Sequence, residues 1–208
     1  MKMHGMRYAR EVAFHFATFA INIFIYKMKS TVRHRVASFQ PQVGVDCRVL
    51  VLGTVPSQRS LELRQSYGHQ QNLFWPFMGE LFGAGPDLPY AQRIARLHAR
   101  GIGIWDVYKH VERPGSLDSS IVKASEVPNA IARLLVKYPT IRAIALNGAK
   151  AAEGFRRHVE SKLNATLRAR VELLNLPSTS PANASIARAE KLRRWRILTR
   201  YTIENTDS

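Results

Sequence analysis

The sequence predicts a three-layer α/β/α fold around a short, mainly parallel four-stranded sheet. Two observations lead there. Short apolar runs alternate with stretches of helical periodicity, the connection that parallel strands require. In addition, 46% apolar residues in 208 is enough for one self-sufficient core. In chain order, Arg48 to Gly53 (RVLVLG) reads as a buried strand, followed by a turn at Thr54 to Ser57. Leu73 to Phe82 reads as a helix introduced by Asn72, with Pro76 tolerated in its first turn. Pro89 to Arg100 sets Ala91, Ile94 and Leu97 at helical spacing, and Gly101 to Trp105 (GIGIW) is a second strand entering a polar loop from Asp106 to Ser120. Ile131, Leu134, Leu135 and Tyr138 share one helical face. Arg142 to Leu146 (RAIAL) is a third strand, and Lys150 to Leu163 a helix. Val171 to Leu176 (VELLNL) is the fourth strand, and Leu192, Trp195 and Thr199 mark the inner face of a last helix. There is no internal repeat and no low-complexity linker.

Two clusters stand out because neither reads as core. One is YGHQQNLFW at 67–75 and the other LPSTSPANA at 176–184. Each gathers turn-formers, amides, hydroxyls or aromatics at the end of an apolar run, which is where open α/β sheets bind ligands.

Lys and Arg total 31 against 15 acidic residues, a formal net charge of +16. Such an excess favours a polyanionic partner, most simply nucleic acid, because cations that neutralise phosphates release condensed counterions. Cys47 is the single cysteine, which excludes an internal disulfide and any four-thiolate cluster and points to a reducing compartment. Residues 1–27 follow a different pattern. Their apolar stretch, Val12 to Tyr26, is shorter than the ~20 residues a bilayer span needs and carries no small-residue cleavage signal. We therefore expect an N-terminal extension, with the native protein starting near Met28. Without its four basic residues and Glu11 the remainder still carries +13.

Six motifs in order resemble the uracil-DNA glycosylase superfamily, and within it the hypoxanthine (deoxyinosine) DNA glycosylase family. They are GTVPS at 53–57, YGHQQNLFW at 67–75, GIGIWDV at 101–107, RPGSLDSSI at 113–121, ALNGAKA at 145–151 and LPSTSPANA at 176–184. The resemblance covers about residues 38 to 200, within an expected domain of 38–203. It implies a repair enzyme that flips a deaminated base, most simply hypoxanthine, out of DNA and hydrolyses its N-glycosidic bond. It further implies no cofactor, no metal and no membrane, a monomer acting on DNA, and a cytoplasmic location, nucleoid-associated in a bacterium. The same fold also serves uracil or mismatch specificity, or nucleic-acid binding without catalysis.

Glycosidic cleavage passes through an oxocarbenium-like sugar, so the site must hold a water under the anomeric carbon and stabilise the departing base. Mismatch-type relatives hold that water with an Asn or Asp in the turn after the first strand, and the matching residue here is Val55. Asn72 resembles the asparagine with the catalytic role in the hypoxanthine-specific family. A carboxamide orients water rather than acting as a base; its alternative role is to cap the following helix. Phe74 and Trp75 are candidates to stack the extruded base, Phe74 favoured by the resemblance, with Tyr67 and His69 in the same loop. Asp106 stands where uracil-specific relatives carry a base-reading Asn. A carboxylate there accepts from N1–H of hypoxanthine, which adenine lacks; otherwise it caps a local turn or fixes Arg113. Asn147 is a second base-contact candidate, and Asp118 a supporting one. Leu176 replaces the catalytic His of uracil-specific enzymes. Ser178, Thr179 and Ser180 are expected at DNA phosphate, in a loop resembling the wedge that fills the flipped nucleotide's space. Pro181 and Asn183 extend that loop, and Thr54, Pro56 and Ser57 are the DNA-contact candidates of the GTVPS turn.

Overall fold

The computed structural model describes residues 35–203; the expectation for residues 1–27 lies outside them. Its central sheet contains β2 (Val49–Gly53), β3 (Ile102–Asp106), β6 (Ala143–Asn147) and β7 (Glu172–Leu176), all parallel, in the order β3-β2-β6-β7. All five residues of β2 are buried, as a central strand covered on both faces requires. Successive side chains point to opposite faces, so Leu50 and Leu52 join one core cluster and Val49 and Val51 the other.

The first cluster is roofed by α4 (Ile131–Lys137), α5 (Ala149–His158) and α6 (Ala165–Arg170), through Ile131, Leu135, Phe155 and Leu167. The second lies under α2 (Phe74–Phe82), α3 (Tyr90–Ala99) and α7 (Arg188–Trp195), through Phe74, Phe77, Leu97 and Trp195. These are the three layers anticipated from the alternation of apolar runs and helical stretches.

The segment from Asp106 to Ser120 is not a plain loop. It contains β4 (Tyr108–Glu112), which pairs antiparallel with β1 (Arg35–Ala37) and β5 (Val127–Pro128) in a second, three-stranded sheet. Tyr108 and Val111 are buried and Lys109 is exposed; burial along this strand does not follow a simple alternation, and its register against β5 shifts between Tyr108 and His110. Two short helices are also additional to the sequence reading. In α1 (Gln58–Leu63) the Ser57 hydroxyl accepts from the Ser60 N–H, and in α6 the Asn164 side chain accepts from the Leu167 N–H. After α7 the chain tightens into a 3-10 turn over Arg196–Arg200. Three residues per turn rotate the inner face, so Leu198 is buried and Thr199, expected inside, is exposed.

No helix among the described residues is long and apolar enough to cross a membrane. No group of three or more His, Cys, Asp or Glu side chains among them could hold a metal. Cys47 is buried, and desolvation pushes its thiol up to about 12.

Candidate active site

Register brings the strand ends level: Gly53 pairs with Asp106, Leu52 with Leu146, and Asn147 with Leu176. The chain runs from β2 to β3 on one side and returns to β6 on the other, so the loops diverge and open a crevice at that switch. A cavity of about 650 Å³ occupies it. Its wall combines the 53–57 turn, Asp106, Asn147 with Gly148, and loop 178–183, and Tyr67, His69 and Asn72 enter from the segment before α2. The two clusters singled out in the sequence therefore meet at one opening, joined by the Leu73 N–H donating to the Thr179 carbonyl at 2.9 Å.

Asn72 is half-buried in that wall. Its backbone N–H donates to the His69 carbonyl (2.8 Å), and its Oδ1 accepts from the Phe74 N–H (3.0 Å). A backbone N–H only donates, so this contact fixes which end of the carboxamide is oxygen. The helix starts at Phe74, one residue later than read from the sequence, and Asn72 satisfies its first N–H from just upstream of the Leu73 cap position. Helix capping thus uses the oxygen, and no hydrogen bond among the described residues uses the amide nitrogen.

The aromatic residues are arranged differently from the expectation. Phe74 and Trp75 are buried in the core and do not line the cavity. The Trp75 indole N–H donates to the Ser66 carbonyl at 2.9 Å, and Arg93 covers one face of its ring at 4.7 Å. The ring on the cavity wall is Tyr67, stacked on Phe74 with centroids 3.9 Å apart and planes 21° from parallel. Tyr67 has φ of +57°, a left-handed conformation that costs a bulky residue about 1–3 kcal/mol. Such strain persists only where surrounding packing imposes it, here to lay the ring against Phe74. His69 is exposed at the rim, where its Nδ1 accepts from the Gln71 N–H at 3.2 Å.

Asp106 ends β3, and its Oδ2 accepts from the Ser38 hydroxyl at 2.9 Å. Burial raises its pKa to about 7 and the neighbouring Asp118 adds to the rise; Ser38 and Arg113 oppose it. Oδ1 lies over Gly53, where an added Cβ would be 2.8 Å from it and 3.1 Å from the Tyr67 hydroxyl oxygen. Asp106 does not fix Arg113. That guanidinium is buried and donates to the Pro56 carbonyl (2.6 Å), the Gly115 carbonyl (3.2 Å) and Asp118 (3.3 Å). Asp118 and Arg113 thereby pin the 53–57 turn to the 113–120 loop, with Thr54 and Pro56 on the cavity wall. Ser57 also lines it, with its hydroxyl engaged at the start of α1.

Asn147 is less a free base contact than a buckle. Its Nδ2 donates to the Thr179 hydroxyl and its Oδ1 accepts from the Thr179 N–H, both at 2.9 Å. Thr179 is buried in consequence at the base of the cavity wall, which Ser178, Ser180, Pro181 and Asn183 also line. Gly148 holds φ of +94°, and a Cβ there would lie 2.8 Å from Ser178 Cβ, so only glycine lets the loop approach this closely.

Lys191 of α7 is buried. Its ammonium donates to the Ser178 carbonyl at 2.8 Å and also to the Asn183 carbonyl, clasping both ends of the serine-rich loop. Its position among Arg193, Arg194 and Arg196 hid this role. Lys191→Ala is expected to cost about 1–3 kcal/mol in a denaturant titration. It should also speed amide exchange across residues 178–183 ahead of the sheet; unchanged exchange there would contradict the clasp.

A short parallel sheet between helical layers carries a loop-walled cavity at the carboxyl ends of its strands, and the chain belongs to the uracil DNA glycosylase superfamily, whose sequence profile matches residues 41–199. Similarity is specific within it. The chain is 35% identical to the hypoxanthine DNA glycosylase of Methanosarcina acetivorans and 33% identical to that of Methanosarcina barkeri. Each match runs over 116 residues, 55% of this chain and 72% of the relative. A solution NMR structure of a candidate uracil DNA glycosylase from Methanosarcina acetivorans superimposes with a TM-score of 0.65 at 31% identity, over 80% of this chain and 97% of that one. Val55 and Leu176 are both buried at 8% exposure, and Val55 contributes to the cavity wall.

Proposed function

We propose that this chain is a monofunctional DNA glycosylase that hydrolyses the N-glycosidic bond of deaminated bases. Hypoxanthine is the preferred base, and Asn72 holds the attacking water. The observation that carries the reading is the company Asn72 keeps. A carboxamide whose oxygen is engaged by a helix N–H shares one cavity with a buried carboxylate and a hydroxyl-rich loop.

In this mechanism the Asn72 amide nitrogen donates to the water and orients a lone pair toward the anomeric carbon of the extruded nucleoside. The Tyr67 ring supplies the stacking face, and Asp106 Oδ1 accepts from N1–H of the 6-oxopurine. The Ser178 and Ser180 hydroxyls take the flanking phosphate, while Thr179, held inward by Asn147, shapes the loop that presents them. Lys150 lines the cavity, but Glu126 and Glu153 each engage its ammonium at 3.4 Å. That arrangement does not suit an amine nucleophile, so the DNA strand stays intact after base loss. The apolar Val55 and Leu176 remove the water-holding and imidazole groups of other members, which weighs against uracil as the main substrate. We further propose that the protein acts on DNA as a monomer in the cytoplasm, which sedimentation and fractionation would test.

The deciding experiment is base release from duplexes carrying inosine, uracil or adenine. Hypoxanthine should be released fastest, with strand breakage appearing only after alkali. Faster uracil release would transfer the reading to a uracil enzyme. DNA binding with no base released would make the chain a nucleic-acid binder.

A further inference from the structure

Ser38 lies just before the segment matched by the superfamily and outside every motif of the sequence reading. It nonetheless contacts the base-reading candidate. Its hydroxyl oxygen is 2.9 Å from Asp106 Oδ2 and 3.0 Å from the Phe39 carbonyl oxygen. One hydroxyl proton therefore has two acceptors within reach. We propose that Ser38 is a positioning residue that keeps Asp106 Oδ1 a hydrogen-bond acceptor in both protonation states of the carboxyl, so that a 6-oxopurine is told from a 6-aminopurine independently of pH. This rests on the glycosylase reading above.

The argument follows from counting protons. When Asp106 is ionised, the Ser38 hydroxyl donates to Oδ2 in a charge-assisted bond, and Oδ1 faces Gly53 and Tyr67 with its lone pairs available. When Asp106 binds a proton, the stable site is Oδ2, because the Ser38 oxygen can accept from it while the Ser38 proton turns to the Phe39 carbonyl. Oδ1 then remains a carbonyl oxygen. It still accepts from N1–H of hypoxanthine and still opposes the N1 lone pair of adenine. No hydrogen bond among the described residues engages Oδ1, and the Tyr67 hydroxyl near it has no hydrogen-bond partner. The charged or titratable groups facing this carboxyl are Arg113, Asp118 and Tyr67, none of which touches Oδ2. The question is practical, since burial sets the titration of Asp106 near neutrality. Without Ser38 the proton has no preferred oxygen, and a proton on Oδ1 would donate to adenine N1.

The test is the ratio of kcat/KM for inosine over adenosine duplexes from pH 5.5 to 8.5. Wild type should show a flat ratio. Ser38→Ala should match it at high pH and fall by about tenfold or more on the acid side, while Ser38→Thr restores the flat profile. Parallel profiles in wild type and Ser38→Ala, whatever their absolute rates, would overturn the proposal; a purely structural role gives that result. The Asp106 carboxyl followed by carbon NMR provides a second readout that needs no turnover. Its midpoint should rise in Ser38→Ala, and an unmoved midpoint counts against the proposal. Wild type releasing no base from either duplex would defeat the glycosylase reading, leaving the carboxyl titration to decide on Ser38.

Discussion

Asn72→Ala is expected to slow single-turnover release of hypoxanthine by about 10²–10³-fold, the usual effect of removing one preorganised donor from a charge-developing site. DNA affinity should change little, because the phosphate contacts proposed above lie on the other loops. The change also removes the acceptor for the Phe74 N–H, so stability should fall by about 1 kcal/mol or less, a cap-sized loss. Asn72→Asp separates the two effects. It keeps an acceptor at the start of α2 and should restore the melting temperature, while its chemistry differs. Full single-turnover activity in Asn72→Ala would remove this residue from the mechanism.

The second large effect is expected at Asp106. Its pKa is raised in the fold to about 7 from an unfolded value near 3.9, so the ionised form is disfavoured on folding. The sign follows: the stability associated with this carboxyl is full below about pH 4, declines as pH rises to about 7 and is flat above. Asp106→Asn carries no such charge. It should be close to wild type at pH 4 and more stable at pH 8, by about 2–4 kcal/mol in denaturant titrations at the two pH values. Activity should move the opposite way. With Ser38 donating to the Asn oxygen, the NH₂ group faces the cavity and opposes N1–H of hypoxanthine, and two opposed donors should lower release from inosine duplexes by about 10²-fold or more. A variant equally stable at both pH values relative to wild type would show that the carboxylate is not strained by burial.

The parallel sheet was legible in the sequence because its strands are short apolar runs separated by helices, as in VLVLG and AIALN. The second sheet was not. β1 has three residues and β5 two, and they make sense only once Arg35 pairs with Glu112 and Val127 with His110, contacts made by tertiary structure rather than local pattern. At the candidate site, the loops and most of their polar residues could be read from turn chemistry and motif order. The side-chain directions could not. Phe74 and Trp75 follow Asn72 directly, yet the start of α2 turns both inward and leaves Tyr67 on the wall. Ser38 and Lys191 look like ordinary polar residues in sequence; only burial and partners show what they hold.

The contact between the Leu73 N–H and the Thr179 carbonyl ties two otherwise independent loops through a single main-chain link. A displacement of the serine-rich segment by an incoming duplex would be felt at the residue next to Asn72, so engagement of the backbone and alignment of the hydrolytic water would be mechanically coupled. Insertions that lengthen either arm would break that coupling before they disturbed the sheet.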